Sequence, residues 1–402
     1  MLVGIKRAMN SKELVCAALM GRATARAPTG PLAVHFCAGV AGYTLRQYTT
    51  EAQALAESVI RYYERFKPDA VWVSADTWVS AQAMGASVGA EGDDQPFGGL
   101  GAPLVQRARD LERIPPPDPG SQGRWPLMLE ACGRIVEALG REAYIVACFD
   151  QYPFSLAGAL MGVQEVMLKV EDDPAFVRAL MERCLEYGLA YARALRATGA
   201  DMLSGGDSLA GLIGPRAYRE VALPFEQRLI AGLKSAYPEP SGSGAGVSAG
   251  SVGSRARRPG GRRDACPTTT TTATAGPFME PMGVETLEVE AARKPVSLHV
   301  CGNALPILAD MASSGADVLE IDQKVELGRA CQAVGSEIAL WGNLDPVAVL
   351  AHGSVEQVRR AAQTALETVR ACGRRRFVLS SGCTLAVETP AANLEALLRC
   401  DL

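Results

Sequence analysis

The run Lys294-Pro-Val-Ser-Leu-His-Val-Cys-Gly-Asn303 reads as a short buried strand that ends in two soft metal ligands. His299 and Cys301 stand two residues apart, and in an extended strand that spacing sends both side chains to one face. The apolar strand, glycine and cysteine recur at Phe377-Val-Leu-Ser-Ser-Gly-Cys383, which offers a third ligand. One imidazole and two sulfurs suit zinc, and three protein ligands leave a fourth position for water or substrate, as in catalytic sites. The competing reading is packing: the chain holds 11 Cys, and free cysteine is common in cores as a small hydrophobe.

With 402 residues, 48% hydrophobic and 21% charged, the chain can bury a large core as one big α/β domain or two smaller ones. A formal charge of −4 argues against a general nucleic-acid binder, which would carry a basic face. No run reaches membrane-spanning length, and the N-terminus lacks the apolar region of a secretory signal. Cysteines scattered along so long a chain fit a reducing compartment, so the expected location is cytoplasmic.

Outward from the opening stretch, apolar runs predict strands at 31–36, 70–75, 143–149, 201–206, 296–300, 318–322, 338–343 and 377–381. Helical spacing follows nearly every one: 50–66 with Thr50 as N-cap, 127–139, 174–198 closed by Gly199, 215–236, 304–313, 325–334, 354–372 and 390–400. A further helix is expected over 10–26, a loop over 37–48, and a long polar excursion, such as a lid, over 85–125. Residues 238–277 break the pattern with Pro, Gly and Ser, five arginines (Arg255, Arg257, Arg258, Arg262, Arg263) and a threonine run from Thr268 to Thr272. This composition cannot offset its ordering entropy, and the segment reads as a disordered insertion before strand five. Alternating β and α units imply a parallel sheet, and eight of them a closed (β/α)8 TIM barrel spanning 1–402 as one domain, with an open doubly wound sheet as the fallback. Asp76, Asp150, Asp207, His299, Cys301, Asp322, Asn343 and Cys383 all fall at or just past strand C-termini, which share one rim in such a barrel.

Leu298-His-Val-Cys-Gly-Asn303, Asp317-Val-Leu-Glu-Ile-Asp322, Gly342-Asn-Leu-Asp-Pro346 and Ser381-Gly-Cys383, with Tyr152-Pro-Phe-Ser-Leu-Ala157 and Gly199-Ala-Asp-Met-Leu203, resemble the uroporphyrinogen decarboxylase superfamily. The His-x-Cys…Cys signature resembles its zinc methyltransferase branch, whose members move a methyl group between a corrinoid protein and a thiol such as coenzyme M. The resemblance covers nearly the whole chain apart from 238–290. It implies the barrel, zinc at His299, Cys301 and Cys383, a methylated corrinoid protein as donor partner and a small thiol or folate-type acceptor.

The resemblance makes Asp207 a candidate fourth or nearby ligand, with a helix cap as the equal alternative. Asp76 is a candidate substrate contact or a cap. Arg46 could bind an anionic substrate or face solvent. Asn343 and Asp345 precede Pro346 at a natural turn and helix start, so they are structural first and site-lining second. His35 and His352 have no partners in sequence and are not expected to be ligands. Decarboxylases of the superfamily carry Arg-Gln-Ala-Gly-Arg near the first strand, where this chain has Thr44-Leu-Arg-Gln-Tyr48. One arginine matches a polycarboxylate substrate poorly, which leaves porphyrinogen decarboxylation as the second function. A corrinoid-protein-binding member without catalysis is the third.

Overall fold

Seven parallel strands carry the fold: β1 (Ala70–Val73), β4 (Tyr144–Gln151), β5 (Met202–Gly206), β6 (Ser297–Val300), β7 (Val318–Ile321), β8 (Ala339–Leu344) and β9 (Phe377–Ser381), hydrogen bonded in that order. The computed structural model describes residues 9–98, 101–235 and 294–400. All three ranges belong to one compact unit. The expected insertion at 238–277 lies outside the described residues.

Strand order follows chain order, each parallel strand lying beside its predecessor. The strands are buried on both faces (Ala70–Val73, Ser297–Val300, Val318–Ile321 and Phe377–Ser381 without a break), which is why they read as continuous apolar runs rather than alternating ones. Helices Ala52–Phe66, Trp125–Leu139, Pro174–Ala197 and Val355–Ala371 cover the outer face.

Seven of the eight expected strands form. The one expected at 31–36 does not: Phe36–Ala41 is a helix, and the extended segment lies a few residues upstream. Thr29 bridges Leu379 in parallel. Leu379 N donates to Pro28 O at 2.9 Å, Gly30 N to Leu379 O at 3.0 Å, and Ala70 N to Thr29 O at 3.1 Å. This short stretch thus bonds to both edge strands, β1 and β9. Buried Asp69 fixes it: the carboxylate accepts Thr29 N at 2.9 Å and takes Arg26 by two nitrogens at 2.6 and 2.7 Å. On the other side the Gly30 carbonyl accepts from Trp341 Nε1 and Ser380 Oγ, both at 2.8 Å, and from Trp72 Nε1 at 3.3 Å. Only glycine fits there, since a Cβ on residue 30 would lie 2.4 Å from the Trp341 ring.

The expected loop at 37–48 contains most of two short helices, Phe36–Ala41 and Leu45–Thr50. Thr44 caps the second by a reciprocal box with Gln47. Thr50 therefore ends a helix, and Glu51 precedes the next one at Ala52. The helix expected over 215–236 is a short turn, a π-helical stretch Tyr218–Ala222 and then Leu223–Lys234. The 85–125 excursion holds a small antiparallel pair, β2 (Val88–Gly89) with β3 (Phe97–Gly98), and a 3-10 turn Ala108–Arg113.

Candidate metal centre

His299 lies on β6, paired to Gly206 on one side and Glu320 on the other, and Cys301 is the first residue past the strand. Cys383 follows β9, three strands away. On a flat sheet three spacings would separate these ends by about 14 Å. The His299 nitrogen and the Cys301 and Cys383 sulfurs instead all lie within 4.8 Å of one another, so the curl of the sheet assembles the cluster. Gly382 lets the end of β9 come this close: a Cβ there would lie 2.4 Å from Gln323 N.

The imidazole is oriented for ligation. His299 Nδ1 is 3.2 Å from the Glu320 carbonyl oxygen and 3.9 Å from its carboxylate, while Nε2 points at Cys301 Sγ, 3.0 Å away. Glu320 is itself buried among hydroxyls, accepting from Ser204 Oγ at 2.7 Å and from Ser297 Oγ. A carboxylate behind a ligating histidine fixes its tautomer and raises its basicity. Sequence reasoning singled out Asp322 but passed over Glu320. The signal was available, since Glu320 is a lone charge inside Val318-Leu-Glu-Ile321.

The three groups also share protons. Cys301 is brought down to about 7, chiefly by a hydrogen bond from Cys383, with Ser208 adding a second. Cys383, as that donor and half-buried, is pushed up to about 12. Burial opposes charge on His299, yet hydrogen bonding with Cys383 and the Glu320 carboxylate outweigh it and raise it to about 9. The shifts run toward a thiolate at Cys301 and an imidazolium at His299, the charges that a bound dication would replace. One nitrogen and two sulfurs, with both cysteines half-buried, fit a zinc ion with an open fourth position.

The other candidate residues do not converge on this point. Asp207 is fully buried; its N–H donates to His299 O at 2.8 Å, and its Oδ1 accepts Ser155 N at 2.7 Å. Its carboxyl and that of Glu226 act on each other, and burial raises both. Asp207 thus supports the strand end from outside the cluster. Asp76 is held by Arg124, which donates Nη2 at 3.0 Å and Nη1 to its two oxygens, while Trp78 N adds a third bond at 2.8 Å. Asn343 gives its amide hydrogens to Asp322 O at 3.2 Å and Val325 O at 2.8 Å. Asp345 caps the following turn through Val347 N and Ala348 N, both at 2.8 Å. Arg46 is exposed on Leu45–Thr50. His35 bonds Ala75 O at 2.7 Å, and neither it nor His352 belongs to a metal-binding cluster among the described residues.

The comparisons with known proteins agree with this geometry at the level of family. The chain matches the family described as Uroporphyrinogen decarboxylase (URO-D) over residues 10–245 and 278–400. It is 27% identical over 359 residues to a methylcobamide:CoM methyltransferase MtbA of Methanosarcina acetivorans, covering 88% of this chain and 86% of that one. A uroporphyrinogen decarboxylase of Thioalkalivibrio sulfidiphilus is 27% identical over 318 residues, covering 77% and 73%. The solved structure of a methyltransferase from Methanosarcina mazei shares the fold with a TM-score of 0.75 at 22% identity, over 98% of both chains.

Proposed function

The chain belongs to the uroporphyrinogen decarboxylase family, and within it we propose that this protein moves a methyl group from a methylated corrinoid protein to a thiol of the coenzyme M kind at a zinc centre. The observation that carries this reading is the cluster itself: His299, Cys301 and Cys383 offer three soft donor atoms within 4.8 Å. Decarboxylation of a polycarboxylate has no use for such a set, whereas thiol alkylation needs a thiolate.

In this reading His299, Cys301 and Cys383 hold the ion, and Glu320 keeps the imidazole in the ligating tautomer. Zinc there supplies a positive charge that stabilises an acceptor thiol as its thiolate. Asp207 holds the end of β5, and Ser208 beside it steadies Cys301. Asp76, locked to Arg124, shapes the neighbouring rim rather than exchanging protons. Exposed Arg46 is left to solvent or to an anionic group bound away from the ion, and Asn343 lines the rim from β8 while tying down the loop after β7.

The test is transfer itself. Methylated corrinoid protein mixed with the chain and a thiol should lose its methyl-cobalt absorption, and Cys383→Ser should abolish this with the fold intact. The relatives named as decarboxylases make porphyrinogen decarboxylation the second reading. Uroporphyrinogen turnover by metal-stripped protein would favour it.

A further inference from the structure

A second pair of cysteines lies in the outer helical layer, away from the metal cluster. Cys331 sits on helix Leu327–Ala333, and Cys372 ends helix Val355–Ala371. Both are free, Cys331 half-buried and Cys372 exposed, and the two thiols are near enough for the charge of Cys372 to act on Cys331.

Two features hold them together. One helical turn before each cysteine the helices touch, where a Cβ on Gly328 would be 3.6 Å from Thr368 Cγ2. Two residues past Cys372, Arg374 reaches back over the end of the Cys331 helix, donating to Ile338 O at 2.6 Å, Gly335 O at 3.3 Å, Cys331 O at 3.4 Å and Val334 O. Its guanidinium also meets the Cys331 thiol. The turn carrying Cys372 is therefore anchored on the helix carrying Cys331.

We propose that Cys331 and Cys372 form a reactive dithiol that closes to an intramolecular disulfide on exchange with a low-molecular-weight disulfide. Exposed Cys372 is reached first. Its thiolate attacks one sulfur of R–S–S–R, the old S–S bond breaks, and one RS− leaves with the bonding pair. The Cys331 thiolate then attacks Cys372 Sγ, forming the internal bond and expelling the second RS−. Two protein thiols are oxidised by two electrons, the reagent is reduced to two thiols, and the two thiol protons end on the two RS− groups. Burial, then the neighbouring Cys372, pushes the Cys331 thiol up to about 11. The second influence ends once Cys372 is in the mixed disulfide, and Arg374 remains to favour the Cys331 thiolate.

The experiment exposes the full-length, as-purified chain to glutathione buffers of rising oxidised-to-reduced ratio, blocks free thiols and maps tryptic peptides by mass spectrometry. The expected product links peptide 371–374 to peptide 330–359 and disappears again in reduced glutathione. Cys331→Ser should stop at a glutathionyl adduct on Cys372, and Cys372→Ser should leave Cys331 free, with circular dichroism showing each variant folded. A wild type that retains glutathione on Cys372 without closing the ring overturns the proposal. So does a wild type whose Cys331 and Cys372 stay free while other cysteines oxidise.

Discussion

The Nε2 of His299 and the Sγ of Cys301 lie 3.0 Å apart, both directed to the same side of β6 by their i, i+2 spacing. The other ring nitrogen is occupied by the backbone carbonyl of Glu320, so the ring offers one nitrogen to an ion, and it is the one facing the sulfurs. The proposed ligand set is built on strand ends and held from behind, an arrangement that fixes geometry better than a loop does.

Glu320→Gln tests that support. The amide keeps the volume and can still accept from Ser204 and Ser297, but it removes the charge behind His299. Zinc affinity is expected to fall roughly 10–100-fold, read by competition with a chromogenic chelator, with little change in thermal stability. Unchanged affinity would mean that the Glu320 charge does not act on the site and that its backbone carbonyl alone orients the imidazole.

Arg124→Met tests whether Asp76 is a frame or a free acid. The pair is nearly closed to solvent, with side-chain exposures of 11% and 2%, and removing one partner of such a pair costs about 3–5 kcal/mol. Urea denaturation should show a loss of that order, and adding Asp76→Asn should recover part of it. A loss below about 1 kcal/mol, the range of exposed pairs, would place Asp76 in contact with water.

Asp150 gives the fold a pH dependence. Burial, then the charge of Asp76, pushes its carboxyl up to about 7, well above the unfolded value near 4. The folded state therefore binds a proton that the unfolded state has released. That contribution is complete below about pH 4 and is lost as pH rises through 7. Asp150→Asn removes the titration while keeping an acceptor for Ser80 N, 2.6 Å away, and asparagine tolerates the φ of 80° found there. The variant should gain stability over wild type from pH 4 to pH 8, by up to roughly 4 kcal/mol. Parallel pH profiles would contradict the assignment.

The strands β1 and β4 to β9 were readable because each is a short apolar run between turn residues, and the shared face of His299 and Cys301 because their spacing matches the strand period. The first strand was misplaced for a physical reason. Pro31-Leu-Ala-Val-His-Phe36 has the composition of a strand, but what bonds both sheet edges is Thr29, placed by Asp69 and Arg26 through contacts no local pattern encodes. Asp207 does follow the strand end, as its position suggested, but its side chain turns to Ser155. Its partner Glu226 lies on a helix packed outside the sheet. Cys383 could be proposed as the third ligand from its Gly-Cys motif, yet its approach to His299 depends on the curl of the whole sheet.

Zinc content measured beside folding is the most direct test of the account. Wild-type protein, dialysed against zinc and then buffer, should hold one equivalent by elemental analysis. Cys301→Ser and Cys383→Ser should each lose it while keeping the wild-type circular dichroism spectrum. A folded wild type that binds no zinc, or variants that keep a full equivalent, would contradict the three-ligand centre and return both cysteines to the core.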